Sequence, residues 1–243
     1  PIPPMSGPRW GACSVIIDNE MWVMGGLDEG RNDLATVEVY SPKTNSWRSC
    51  TPMSQRRGGA VAAVVGGRLV VAGGACGGFL SSAEAYTGTG WTPLPPMPHA
   101  VGMATACVLN GRLYVIGGLD SNRLQVLEMT EENGLSWSCK ADLPAWRFGA
   151  ASCVYDGKIW VMGGFVGGEG ISASVITYDG AADAWETAPP LPSPCSHCRA
   201  AAVDGCIYLR SPDGSFQFRE GEWATTGWGD GTAASVCGAV LLG

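Results

Sequence analysis

The sequence predicts an all-β fold in which one short-stranded unit repeats along the chain and successive sheets stack around a common axis. Three observations lead there. Gly-Gly pairs close four apolar runs, over residues 20–26, 68–74, 112–118 and 158–164, and the first glycines of the pairs lie 48, 44 and 46 residues apart. Trp47, Trp91, Trp137, Trp185 and Trp223 keep step with them at intervals of 44, 46, 48 and 38. Dipeptides that favour positive φ recur at one phase of the repeat (Asp18-Asn19, Gly66-Gly67, Asn110-Gly111, Asp156-Gly157, Asp204-Gly205), and no stretch has helical periodicity.

Each unit decomposes into four strands. The first is small and apolar, as in residues 12–17 and 59–65, and its alanines (Ala12, Ala60, Ala62, Ala63, Ala104, Ala106, Ala150, Ala151) suit the narrow centre of the stack. The dipeptides follow, and they suit a two-residue hairpin whose twist matches its strands. The second strand ends at the glycine pair, where the chain bends in a space a Cβ would fill. The third ends at Tyr40, Tyr86 or Tyr178, with Met129 in the third unit, and the fourth begins near the tryptophan. These aromatics supply wedge-shaped packing between neighbouring sheets. A fifth unit runs from Cys206-Ile207-Tyr208-Leu209-Arg210 into Ser211-Pro212 and lacks the glycine pair, but Tyr208 aligns with Trp22, Tyr114 and Trp160. A single four-stranded sheet cannot bury both faces, whereas sheets stacked around an axis can.

Unit one carries Met21-Trp22-Val23-Met24-Gly25-Gly26, then Val37-Glu38-Val39-Tyr40, then Asn45-Ser46-Trp47. This order resembles the kelch repeat across essentially the whole chain, and no Trp-Asp dipeptide supports the WD40 alternative. Unit two lacks the Asn before Trp91, unit three the tyrosine, and unit five the Gly-Gly. The resemblance implies a β-propeller of four-stranded blades, with five complete blades and half of a sixth. The expected blades cover about 11–50, 58–95, 103–141, 149–188 and 199–225, with a partial blade over 233–243, or twenty-two strands in one domain. Residues 1–10 read as the linker that follows a fourth strand, so a fragment of a longer protein is expected.

Composition bounds the function. Hydrophobic residues make 46% of the 243 and charged residues 15%, which excludes a coiled coil or a charge-rich disordered chain. No apolar run approaches the ~18 residues of a membrane span. The formal charge of −7 argues against a general binder of nucleic acid or anionic membrane. Ten cysteines in a chain this large read as free thiols of a reducing compartment, cytosol or nucleus. Cys13, Cys107 and Cys153 read as small core residues in equivalent strands. Cys195-Ser196-His197-Cys198 holds one Cys-x-x-Cys pair where structural zinc needs four ligands, so it reads as a loop with two thiols, and neither disulfide nor zinc is expected.

In a blade of this kind the linker into each first strand and the loop from strand two to strand three share one face. The linkers carry Arg9, Arg56, Arg57, His99, Arg147, His197 and Arg199, accompanied by Trp10, Trp146 and Trp228. The second loops are more acidic, with Asp28, Glu29, Asp33, Asp120, Glu169 and Asp213 against Arg31, Asn32 and Arg123. The expected site is therefore an arginine-lined mouth inside an acidic rim. It would take a protein or peptide, acidic in part, on Arg9, Trp10, Arg56, Arg57, His99, Trp146, Arg147, His197 and Arg199, with Arg31, Asn32 and Arg123 at the rim. The competing reading is that linker arginines brace adjacent blades. No catalytic residue, metal or cofactor is expected. Kelch propellers include copper oxidases of the galactose oxidase type, but His99 and His197 have no tyrosine in matching loops. The resemblance implies an interaction module, such as the substrate-recognition half of BTB-kelch or F-box/kelch ubiquitin-ligase adaptors. Cullin-ligase components would then be met through regions outside this fragment. A cytoskeletal scaffold and a propeller enzyme or small-ligand binder are the alternatives.

Overall fold

The structure, a computed structural model, describes residues 2–119, 125–130, 135–212 and 214–226. Blade 1 comprises β1 (Cys13–Ile17), β2 (Glu20–Met24), β3 (Val37–Ser41) and β4 (Ser46–Cys50). Blade 2 comprises β5 (Val61–Val65), β6 (Arg68–Ala72), β7 (Ala83–Tyr86) and β8 (Trp91–Leu94). Blade 3 comprises β9 (Thr105–Leu109), β10 (Arg112–Ile116), β11 (Val126–Thr130) and β12 (Ser136–Cys139). Next come β13 (Arg147–Phe148), β14 (Ala151–Tyr155), β15 (Lys158–Met162), β16 (Phe165–Val166), β17 (Gly170–Ile171), β18 (Val175–Asp179) and β19 (Ala184–Ala188). Of these, β14, β15, β18 and β19 form blade 4, while β13, β16 and β17 form a separate three-stranded cap. Blade 5 comprises β20 (Arg199–Val203), β21 (Cys206–Ser211), β22 (Gly214–Arg219) and β23 (Glu222–Thr225). Every blade is a four-stranded antiparallel meander in chain order. The repeat does not predict the cap, and the expected half-blade over 233–243 lies outside the described residues.

Local chemistry dictates the meander. All five first turns hold both central residues at positive φ, as at Asp18 (52°) and Asn19 (60°) or Asn110 (51°) and Gly111 (75°), the type I′ geometry that feeds a twisted hairpin. The core lies between blades, not within them. Val15, Trp22, Met24 and Val39 of blade 1 pack on Leu69 and Val71 of blade 2. Ala63 and Val70 of blade 2 meet Leu113 and Leu127 of blade 3 in the same way. Tyr114 and Ile116 meet Ile159 and Tyr178, and Trp160 and Met162 meet Ile207 and Phe218. Each fully buried aliphatic of this kind stabilises the stack by about 1.5–3 kcal/mol relative to exposure.

The periodic tryptophans clamp one outer strand to the next. Trp91 Nε1 donates to the Thr51 carbonyl (2.9 Å), Trp137 to Pro95 (2.9 Å), Trp185 to Ala141 (2.9 Å) and Trp223 to Pro189 (2.9 Å). Trp47 donates to Pro3 (2.8 Å), so the N-terminal segment lies on blade 1 as each linker lies on its blade. The ends of the inner strands of all five described blades line a central cavity of about 300 Å³, formed mostly by alanine with Ser14, Thr105 and Ser152, and with Arg199 as its charged residue.

Candidate functional site

The four residues entering each inner strand occupy equivalent places: Arg9-Trp10-Gly11-Ala12, Arg57-Gly58-Gly59-Ala60, Val101-Gly102-Met103-Ala104, Arg147-Phe148-Gly149-Ala150 and Cys195-Ser196-His197-Cys198. The third place is left-handed in every blade, with φ between 53° and 64° at Gly11, Gly59, Met103, Gly149 and His197. It passes a backbone hydrogen bond around the mouth, from Gly59 N to Gly11 O (2.9 Å), Met103 N to Gly59 O (2.8 Å) and Gly149 N to Met103 O (3.1 Å). The second place pairs with the loop after the glycine pair: Trp10 with Leu27, Gly58 with Ala75, Gly102 with Leu119, and Phe148 with Phe165. Linkers and second loops thus form one backbone collar on one face, as the repeat predicts.

The first place does not face that collar. Arg57 is 2% exposed and Arg147 4%, and the Arg9 side chain is equally buried. Arg57 Nε donates to Glu84 (2.9 Å), while Nη1 donates to the carbonyls of Gly73 (2.8 Å) and Ser82 (2.9 Å). Arg9 does the same with Glu38, Gly25 O and Thr36 O. The carbonyls left open where strand two bends at the glycine pair draw the guanidinium inward, and a partner carboxylate on strand three completes the site. Arg9, Arg57 and Arg147 are therefore braces, and the expectation that they line the mouth is corrected on this point.

The residue opposite the brace varies with it. The strand-three residue paired to the position two before the first glycine, or before Ser211 at that place in blade 5, is Glu38 for Arg9, Glu84 for Arg57, Leu127 for Val101, Ile176 for Arg147 and Phe216 for Cys195. Blades 3 and 5 lose both charges together. Blade 4 keeps the cation alone: Arg147 reaches Gly163 O (3.3 Å) and Ser174 Oγ (3.2 Å), and its Nε finds no partner among the described residues. Burial lowers its pKa to about 10, against the opposing pull of Glu169. Ser174 Oγ lies 3.0 Å from Ser172 Oγ, which donates to Glu169 (2.9 Å), so the compensating acid has moved to the second loop.

The other expected residues divide. Trp10 is 63% exposed, and Arg56, His197 and Arg199 are exposed on the same collar. Trp146 and His99 are half-buried, and His99 stands two places before the brace position, so the two histidines are not equivalent in the repeat. Arg31 and Asn32 are exposed in the first blade's second loop, where Asn32 N (2.8 Å) and Nδ2 (3.1 Å) bind the Asp28 carboxylate and hold its pKa down. Arg123 lies outside the described residues, as do Asp120, Asp213 and Trp228. Cys107 and Cys153 are equivalent third residues of β9 and β14, whereas Cys13 opens β1 two places earlier on the same face. Burial pushes the thiols of Cys13 and Cys107 up to about 12.

An aromatic platform stands on the collar that the repeat does not predict. The Trp146 and Phe148 rings are parallel within 4° at 6.0 Å, and Phe165 stacks on Phe148 at 5.3 Å. Gly167 lies under the Trp146 indole, where a Cβ would come within 2.0 Å of Nε1. Phe79 of the second loop in blade 2 leans over Gly102 of the next linker. Among the described residues the exposed large apolar side chains are Ile2, Trp10, Phe79, Phe165 and Ile171, and all but Ile2 stand on the collar. Trp10 was named from the sequence; for Phe79, Phe165 and Ile171 the available signal was their departure from the polar character of the first blade's second loop.

The kelch motif matches residues 8–54, 101–129 and 147–192, about half of the chain. The chain belongs to the kelch-repeat family. Its kelch relatives include Kelch-like protein 35 of Mus musculus, 28% identical over 201 residues that make 83% of this chain and 26% of that protein. Kelch-like protein 23 of Homo sapiens is 34% identical over 82 residues, 32% of this chain and 14% of that protein. The chain thus spans about a quarter or less of the length of these curated relatives. Among solved structures, that of YjhT superimposes with a TM-score of 0.77 at 16% identity, covering 91% of this chain and 85% of that one, a likeness of fold. The kelch propeller predicted from the repeat is the observed architecture.

Proposed function

We propose that this kelch propeller is a protein-interaction module whose collar face docks an extended peptide segment of a partner protein. One observation carries the reading: Trp10, Phe79, Phe165 and Ile171 expose apolar surface on a single face built of loops on a rigid scaffold. Arg56, His197 and Arg199 stand among them, so acidic residues in the ligand would complement the apolar anchors. The net charge is negative, but charges interact over only about 8 Å at physiological salt, which lets this local cluster act. A surface of apolar anchors and cations supports the binding role. The finer role is substrate recognition within a ubiquitin-ligase adaptor, suggested by the resemblance of the repeats to those of BTB-kelch proteins, and the ten cysteines suit a reducing compartment, cytosol or nucleus.

The test is selection of a displayed peptide library on the folded chain, followed by titration of the winners. Ligands pairing acidic with bulky apolar residues are expected, and Trp10→Ala or Phe165→Ala should cost about 2 kcal/mol of binding, roughly 30-fold. Arg56→Glu should weaken binding and reduce its salt dependence. If collar variants bind normally while substitutions in the opposite turns, at Asn110 or Asp156, abolish binding, the face is wrongly assigned.

A further inference from the structure

The linker into blade 5 holds a thiol pair that the binding role does not use. Cys195 and Cys198 are 0% and 1% exposed, and their sulfurs lie 3.0 Å apart. A disulfide needs about 2.05 Å, so closure requires a movement of about 1 Å. The Gly163 backbone closes over the pair, and a Cβ there would meet Cys195 Sγ at 2.9 Å and Cys198 Sγ at 3.5 Å.

Packing alone asks for neither sulfur. The place of Cys195 holds Arg9, Arg57, Val101 and Arg147 in the other blades, and the place of Cys198 holds Ala12, Ala60, Ala104 and Ala150. With Phe216 opposite, a valine would serve the first place as Val101 does opposite Leu127, and alanine serves the second throughout. Blade 5 departs from the repeat at both places, and both departures are cysteines that touch. The intervening Ser196 is half-buried and His197 exposed, so the turn joining the two thiols is at the surface.

We propose that Cys195 and Cys198 form a dithiol–disulfide site that exchanges with small soluble disulfides of the glutathione class. One cysteine, as thiolate, attacks a sulfur of the external disulfide. That S–S bond breaks, and the released external thiolate takes up the proton the cysteine gave. The second cysteine, likewise deprotonated, attacks its neighbour's sulfur in the mixed disulfide and expels the other external thiolate, which takes up the second cysteine's proton. Two cysteine thiols are oxidised by two electrons to one disulfide, one external disulfide is reduced to two thiols, and two protons pass between them. The hydrogen bond to Cys195 and burial both push the Cys198 thiol up. Both sulfurs lie under the Gly163 backbone, so the exchange waits on opening of the linker and is slow, and its equilibrium is the quantity to measure. Closure ties the turn that presents His197 at the channel mouth.

The experiment equilibrates the folded chain in glutathione buffers from fully reduced to mostly oxidised. Samples are quenched in acid and unfolded, their thiols alkylated, and intact and peptide masses read. Circular dichroism checks that the protein stays folded at the oxidised limit. The expected result is one transition in which two hydrogens and two alkylation sites are lost together and map to the peptide holding Cys195 and Cys198. Cys195→Val and Cys198→Ala, each using a residue the other blades use, should abolish it. If both thiols stay alkylatable at every ratio, or only a glutathione adduct forms, the proposal fails. It also fails if oxidation maps instead to exposed Cys76 or Cys139. The wild-type chain supplies the decisive measurement, so the result holds even where a variant does not fold.

Discussion

Arg56 and Arg57 are neighbours in the chain with opposite fates. The first is exposed on the collar, and the second is among the most buried side chains described. Their places in the repeat separate them, since Arg57 stands 16 residues before Gly73 as Arg9 does before Gly25 and Arg147 before Gly163, but the brace forms only once strands two and three have paired and left the Gly73 and Ser82 carbonyls open to a cation. The Arg57–Glu84 pair is a buried ion pair. Such a pair is costly to break and nearly neutral to replace whole. Glu84→Leu should therefore destabilise the chain by about 3 kcal/mol, the lower end for removing one partner, because Arg57 keeps its two carbonyls. The double variant Arg57→Val, Glu84→Leu, which installs the pair found in blade 3, should recover most of that loss. Urea unfolding of the three proteins checks it, and a double variant no more stable than the single would sink the idea. The same logic explains why Val101 faces Leu127 and Cys195 faces Phe216, while Arg147, left with Ile176, borrows Glu169 through two serines.

The glycine pair shows how an element combines two constraints. Gly25 and Gly67 both have positive φ (61° and 76°), so alanine at either carries the left-handed cost of about 1–2 kcal/mol. A Cβ on Gly67 would meet nothing within 4 Å, whereas one on Gly25 would lie 2.3 Å from the Arg57 carbonyl, which also accepts the Gly26 N–H (2.8 Å). Gly25→Ala should therefore lower the melting temperature clearly more than Gly67→Ala. Equal losses would mean that conformation alone keeps glycine there. The four-strand unit, the type I′ turns and the glycine bend were legible because each depends on residues close in sequence. The cap of β13, β16 and β17 was not, since it joins a two-residue linker strand to a loop some twenty residues later and has no period of its own.

For the molecule as a whole, the first blade is held from outside by the segment before it. Trp47 donates to Pro3, and the Ser6 N–H (3.0 Å) and hydroxyl (2.7 Å) donate to the Glu38 carboxylate beside Arg9. Burial alone would raise the Glu38 pKa, but these hydrogen bonds and the Arg9 charge outweigh it and bring it below its ordinary 4.5. A depressed carboxylate contributes stability that is present above the unfolded value and lost as pH falls through the lower folded one. Glu38→Gln should thus reduce stability at pH 7 and flatten the decline below pH 4.5, as read by urea midpoints across that range; an unchanged acid slope would remove Glu38 from the account. By itself the sequence determined the all-β repeat, the propeller and the face on which linkers and loops meet, because a repeat period and a hairpin turn are properties of neighbouring residues. Only the tertiary structure decided which arginines are braces and which are surface, that Trp146, Phe148 and Phe165 stack, and that Cys195 and Cys198 touch. Those outcomes depend on which carbonyls, rings and sulfurs the stacked blades bring within a few ångströms; the 16-residue interval from arginine to glycine and the Cys-x-x-Cys spacing mark the places but not what stands opposite them.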